Sequence, residues 1–259
     1  MTLASLVAAE PVSEDVVKAY EDRTITYSGG PYTGEVFHYR LLKPAKIEAG
    51  KTYPLILFMH GAGERGDDNV KQLMYLPTWL AEPEARAKYD CFVLVPQCRS
   101  KRWWTIPRAL RKDKDADPLD PASADVGVAD AILQKTLSEE PIDKSRIYLT
   151  GISMGGYGSW ALAAHHPDLF AAVVPVCGGG STANAEILKN IPLWVFHGGA
   201  DPVVPADQSR QMIEAIKQAG GKPKYTEFEG VGHDSWTPAY RESEALSWMF
   251  EQRKDGAVK

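Results

Sequence analysis

Cysteine is scarce in this sequence: Cys91, Cys98 and Cys177 are the only three among 259 residues, and so small and odd a number excludes a disulfide scaffold. If residues 91–96 form a strand, seven residues of extended chain, roughly 20 Å, separate Cys91 from Cys98, whereas a bridge needs Cα atoms within about 7 Å. That pair is expected to be reduced. Long hydrophobic runs are missing too. The longest, Leu169 to Val174, falls far short of the ~20 residues that a helix needs to span a bilayer, so no membrane span is predicted. Positive charge is not in surplus: 29 Lys and Arg against 34 Asp and Glu give a net charge of -5, which disfavours nucleic acid and anionic membrane as partners. The chain also lacks the Gly-x-x-x-x-Gly-Lys-Ser/Thr phosphate cradle and any His-x-x-x-His or Cys-x-x-Cys spacing. Neither a cofactor nor a metal is expected.

What remains is an ordinary globular composition, 44% hydrophobic and 24% charged, which supports one domain over residues 1–259. Residues 1–20 read as an N-terminal extension. Met1 to Ala9 ends in Val-Ala-Ala, which has the shape of a signal-peptide tail without the charged start or full apolar stretch. The compartment stays open between cytoplasmic and exported, and the oligomeric state is not legible.

From residue 53 onward short apolar runs alternate with helix-like stretches, the pattern of a mostly parallel sheet covered on both faces by helices. Strands are expected at Tyr53 to His60, Cys91 to Pro96, Arg146 to Thr150, Ala171 to Val176, Leu193 to His197 and Lys224 to Phe228. Thr24 to Ser28 and Val36 to Lys43 form an antiparallel hairpin through a Gly-Gly-Pro-Tyr-Thr-Gly connection, giving about eight strands. Apolar residues three and four apart predict helices over Ser123 to Ser138, Ala206 to Ala219 and Ser243 to Phe250. Gly220 and Gly221 mark a left-handed cap after the second. Residues 97–122, above all Lys101 to Asp120 with its Trp103-Trp104 pair, have no period and read as a long loop near a site.

Gly151-Ile152-Ser153-Met154-Gly155 follows a strand and opens a helix, Met154 to Ala164. A serine on such a turn is held in a strained backbone, hence the small residues two positions to either side. Its hydroxyl needs a base, and the base needs an orienting group. His233, in the loop Gly230-Val231-Gly232-His233-Asp234, is the histidine placed to return over the sheet; His38, His60, His165, His166 and His197 read as structural. Asp201, just beyond the strand ending at His197, is the expected acid, with Asp207 and Asp234 as competitors. It would fix the imidazole tautomer and stabilise its cation. The oxyanion is expected on the amides of Met154, at a helix N-terminus, and of Ala62 in His60-Gly61-Ala62-Gly63, with Gly63 as the alternative; each donor is typically worth ~3 kcal/mol in the transition state. Gly61 to Gly66 is also a literal Gly-x-Gly-x-x-Gly, but Asp67 and Asp68 put negative charge where a pyrophosphate would sit and no ribose-binding acid follows the next strand.

These residues resemble the α/β-hydrolase-fold carboxylesterases, in particular the bacterial phospholipase/carboxylesterase and predicted-peptidase group. The resemblance covers about residues 35 to 250 and is carried by His60-Gly61-Ala62-Gly63-Glu64-Arg65-Gly66-Asp67-Asp68-Asn69, Pro96-Gln97-Cys98, Gly151 to Gly156 and Gly232-His233-Asp234-Ser235-Trp236. It implies Ser153, Asp201 and His233 as a triad, no cofactor, an acyl-enzyme intermediate and a small-molecule ester as substrate; a feruloyl or acetyl ester of a plant polysaccharide is implied as an alternative. Gln97, Trp104 and Trp236, and also Glu64, are candidates for contacting substrate. The rivals are a peptidase or amidase using the same residues, and a non-catalytic glycan-binding module with Trp103 and Trp104 as its platform.

Overall fold

A computed structural model describes residues 11–105 and 125–254 of the chain. Its elements run α1 (Glu14–Ala19), β1 (Glu21–Gly29), β2 (Tyr32–Leu42), β3 (Tyr53–Met59), α2 (Leu76–Ala81), α3 (Pro83–Lys88), β4 (Phe92–Pro96), α4 (Val126–Glu139), β5 (Ile142–Ile152), α5 (Met154–His165), β6 (Ala172–Val176), α6 (Ala185–Leu188), β7 (Trp194–Gly198), α7 (Asp207–Gln218), β8 (Lys224–Phe228) and α8 (Ala245–Glu251). The eight strands form one sheet in the order β1-β2-β4-β3-β5-β6-β7-β8. The six from β4 to β8 are parallel, and the β1–β2 hairpin joins them antiparallel through β2 against β4.

Period-two side-chain alternation splits the core into two layers. Leu55, Leu57, Leu94, Leu149 and Val173 point to one face, where they pack on Ile132 of α4, Trp160 of α5 and Ile213 of α7. Ile56, Phe58, Val93, Tyr148 and Val174 point to the other, under Leu76 of α2 and Met249 of α8. With both faces covered, the inner strands are apolar at nearly every position, and β3, β4 and β6 are buried throughout. The second predicted helix ends as glycine allows: Gly220 has φ +90° and its amide reaches Lys217 O, while Gly221 N donates to Ile216 O.

Three features differ from the sequence reading. The hairpin turn is only Gly30-Pro31, because Gly29 already pairs with Tyr32 and Gly30 takes a positive φ. Within the expected extension, α1 is capped by Ser13, Val16 and Val17 pack on the core, and the buried Tyr20 donates its hydroxyl to Pro77 O at 2.8 Å. Helices α2 and α3, each six residues and meeting at Glu82 before Pro83, are too short for a period to show. Of the long loop, residues 106–122 lie outside the described residues. Among the described residues no helix is long and apolar enough to cross a membrane.

Candidate active site

The turn from β5 into α5 puts Ser153 at φ +51°, ψ −115°, a left-handed conformation that costs a non-glycine residue about 1–3 kcal/mol. The surroundings hold it there. Ser153 N donates to Val176 O at 2.9 Å and Ser153 O accepts the first helical bond from Tyr157 N. Glycine is required on both sides, since a Cβ on Gly151 would lie 2.5 Å from Gly155 O and one on Gly156 would lie 2.5 Å from Val176 O. Met154, next in sequence, opens α5, so its amide belongs to the unpaired N–H groups that favour negative charge.

His233 reaches Ser153 from beyond β8. Its loop is fastened to the loop after β7 by Gly199 N to Phe228 O and Ala200 N to Val231 O, both 2.9 Å. Their contact is so close that Gly198 could carry no Cβ, which would fall 2.1 Å from Gly232 O. As a result His233 Nε2 lies 2.9 Å from Ser153 Oγ, and Nδ1 lies 2.7 Å from Asp201 Oδ2. The Asp201 side chain is fully buried. Its other oxygen accepts from Val203 N at 2.8 Å and Val204 N at 2.9 Å, which leaves one oxygen for the imidazole. The two rival acids are engaged elsewhere: Asp207 pairs with Arg210, and Asp234 accepts from the Thr237 hydroxyl.

The remaining oxyanion candidates, Ala62 and Gly63, lie in the turn after β3. After β3, Ala62–Glu64 makes one 3-10 turn, not the helix that a dinucleotide loop opens, and Ala62 begins it. Arg65 Nε steadies the turn from below on Ala62 O at 2.8 Å. His60 is buried under the turn, donating from Nδ1 to Gly61 O and accepting from Cys98 N on Nε2 at 2.9 Å. Burial lowers its pKa to about 4, and it is therefore a neutral strut. His197 has the same character: buried, with pKa lowered by desolvation, it pairs with Ser209 Oγ and Val204 O.

Two expected substrate contacts, Trp104 and Glu64, are corrected by burial and bonding, and the amide of Gln97 is committed to structure. Trp104 is fully buried, donating Nε1 to His60 O at 3.0 Å with its ring edge-on to His60. Gln97 is spent inside the loop, accepting from Asn69 N and donating to Glu64 O and Asp68 Oδ1. Glu64 is buried beneath Gly61, where burial raises its pKa against the pull of the Gly61 amide. A Trp103-Trp104 platform is excluded as well, since Trp104 is buried and Arg65 covers the Trp103 ring at 5.0 Å.

Trp236 does meet the site, with its ring perpendicular to that of His233 at 5.4 Å. Behind it stands a residue that the sequence did not announce. Tyr75 packs on Trp236 at 5.2 Å, is half-buried, and holds φ +62° at the start of α2. Burial raises its pKa, and the next causes are the charges of Glu64, in the turn after β3, and of Asp234, beside His233.

Among the described residues, two groups have ligating atoms within 4.8 Å of one another: Cys177 with Asp201 and His233, and Asp130 with His165 and His166. In the first, Asp201 and His233 are committed to each other, and burial holds the Cys177 thiol far above its usual pKa. In the second, His166 Nε2 is paired with Asp130 at 2.8 Å. In both groups a carboxylate is already paired with an imidazole.

Comparison with known proteins agrees with this architecture. Residues 106–247, more than half of the chain, match the Dienelactone hydrolase family. NocK of Nocardia uniformis subsp. tsuyamanensis, an esterase by name, is 28% identical over 80% of this chain and 57% of its own length. A protein of Aspergillus niger named as feruloyl esterase C is 27% identical over 85% of this chain and 76% of its own. The crystal structure of a thermostable esterase superposes with TM-score 0.83 at 39% identity, covering 92% of this chain and 64% of that one. The sheet is thus that of the α/β-hydrolase fold, and the chain spans less than two thirds of NocK and of the thermostable esterase.

Proposed function

Because the chain belongs to the dienelactone hydrolase family, we propose that it is a serine carboxylesterase acting on small-molecule carboxylic esters. The observation that carries this reading is the unbroken contact from Ser153 Oγ through His233 to the buried Asp201, at 2.9 and 2.7 Å, beside amides suited to an oxyanion.

Ser153 Oγ attacks the ester carbonyl as His233 Nε2 takes its proton, and the amides of Met154 and Ala62 receive the negative oxygen. Asp201 stabilises the imidazolium and keeps its Nδ1 proton in place. Collapse breaks the carbon–alcohol oxygen bond, with the alcohol leaving on the proton from His233. Water then gives its proton to His233, attacks the acyl-serine, and the acid departs as Ser153 regains its proton. Every group needed for this sequence is a side chain or amide of the chain.

A second reading, an aromatic acyl group of the feruloyl type, is favoured by one observation. The rings of Tyr75 and Trp236 make an aromatic wall against His233, and aromatic pairs gain about 0.5–1.5 kcal/mol beyond the area they bury. The test of the main reading is exposure to a fluorophosphonate probe followed by peptide mapping, with p-nitrophenyl acetate hydrolysis followed in the same sample. One adduct on Ser153 with loss of turnover is expected, and Ser153→Ala should fold yet neither label nor turn over. Retained hydrolysis in that variant would refute the assignment. Methyl ferulate against p-nitrophenyl acetate, and ester against peptide, then separate the acyl and bond preferences.

A further inference from the structure

A cleft of about 430 Å³ opens over the carboxyl end of β4, within the ~300–1,000 Å³ range of small-molecule sites. Tyr39 of β2 pairs with Pro96 at the end of β4, so Val36 to His38 run on past β4 beside Gln97 to Ser100. The loop residue Asp67 closes the third side. In the sheet order β4 adjoins β3, and β3 adjoins β5, the strand that leads into Ser153. At ~4.8 Å per strand spacing the cleft, between the extensions of β2 and β4, is about 12 Å along the sheet edge from the strand that leads into Ser153. Ligands of open α/β sheets lie along this carboxyl edge.

The lining selects by chemistry. Asp67 is exposed and carries no hydrogen bond or ion pair among the described residues, so its carboxylate is a free acceptor. The exposed Ser100 hydroxyl can donate or accept. His38 spends Nδ1 on Asp22 at 3.0 Å, leaving Nε2 for another partner. Val36 is 52% exposed and offers an apolar surface. Gln97, its amide spent on Glu64, Asp68 and Asn69 of the loop after β3, makes a rigid rear wall. Arg99, the cation of the lining, is already matched by Glu35 and Val36 O and lies over Phe37 at 4.0 Å.

An anionic ligand would meet the bare Asp67 with no uncommitted partner in Arg99, and a wholly apolar one would strip water from Asp67 without replacing it. A ring whose hydroxyls both donate and accept, and whose C–H face lies on Val36, satisfies all of these groups. We propose that this cleft is a subsite for a neutral sugar ring carried by the ester, an inference that rests on the esterase reading above.

The test compares kcat/KM for p-nitrophenyl acetate with that for singly acetylated methyl glycosides of glucose, xylose and arabinose, so that the acyl group stays constant. Asp67→Ala, and independently Val36→Lys, should lower the ratio of sugar ester to p-nitrophenyl acetate at least tenfold for the best glycoside, mainly through KM. Circular dichroism establishes that both variants are folded. Equal losses on both substrates, or an unchanged ratio in both variants, would overturn the subsite. So would turnover of p-nitrophenyl acetate by the wild type with none of any glycoside. Absence of both Ser153 labelling and all ester turnover would instead overturn the esterase reading, and this one with it.

Discussion

Gly155 presses its Cα against the end of β3 so closely that a Cβ would sit 1.9 Å from Met59 O and 2.8 Å from His60 O. The contact joins the helix that follows Ser153 to the strand that leads into the Gly61 to Gly66 loop, and thereby sets the distance between the two proposed oxyanion donors. Backbone cannot yield there as a flexible side chain could. Gly155→Ala should therefore cost at least the ~3 kcal/mol at the top of the usual overpacking range. That corresponds to a Tm fall on the order of 10 °C, or to failure to fold. Gly63→Ala is the control, because a Cβ there meets nothing within 4 Å, and its stability should stay within ~0.5 kcal/mol of wild type. Equal thermal scans for Gly155→Ala and wild type would show that the close approach is not obligatory.

Asp201 divides its two oxygens between backbone amides and His233. Asp201→Asn keeps the shape but can present an N–H to the imidazole, which favours the wrong tautomer and removes the charge that stabilises its cation. The expected result is a loss of ~10³–10⁴-fold in kcat with KM little changed. Steady-state kinetics on p-nitrophenyl acetate measure it, and a loss under tenfold would remove Asp201 from the proposed role.

The parts legible in the sequence are those where local chemistry leaves few options. Glycines around Ser153 and the Gly220-Gly221 cap answer steric demands of single turns, and α7 is long enough for its apolar face to repeat. Buried strands announced themselves because both faces are covered. Features decided by tertiary contact stayed hidden. Trp104 reads as a candidate substrate contact in an aperiodic stretch, yet it packs on His60; Gln97 reads as another, yet three groups of the loop after β3 consume its amide. Tyr75 gives no signal at all, since strain at one residue leaves no trace in composition or period.

That strain has a consequence for Tyr75. Holding a bulky residue at φ +62° costs about 1–3 kcal/mol, while its contact with Trp236 returns only about 0.5–1.5 kcal/mol beyond area burial. Tyr75→Gly removes both. It should alter stability by no more than ~2 kcal/mol, and kcat/KM should fall about tenfold as the wall beside His233 is lost. Denaturant titration and kinetics on the same sample separate the two effects. If kcat/KM held steady, Tyr75 would be no more than a strained helix start.

The buried His60 makes stability depend on pH with a definite sign. Its pKa is about 4 when folded, lowered by burial, against about 6.5 in an unfolded chain. Between these values the unfolded state binds the extra proton, so stability rises with pH through this window and falls as acid is added. The contribution is fully present above about pH 6.5 and is lost by about pH 4, amounting to about 3 kcal/mol over the interval. His197, with its pKa lowered by burial as well, adds in the same direction. Carboxylates titrate near the lower end of the window, and for that reason the comparison must be with His60→Asn, which cannot titrate. That variant should begin less stable at pH 7, having lost the acceptor for Cys98 N, but should shed about 3 kcal/mol less than wild type on going to pH 4. Urea midpoints at half-unit pH steps give both curves. Parallel curves would mean that His60 takes up its proton in the folded protein as readily as in the unfolded chain, with the hydrogen bond from Cys98 N broken.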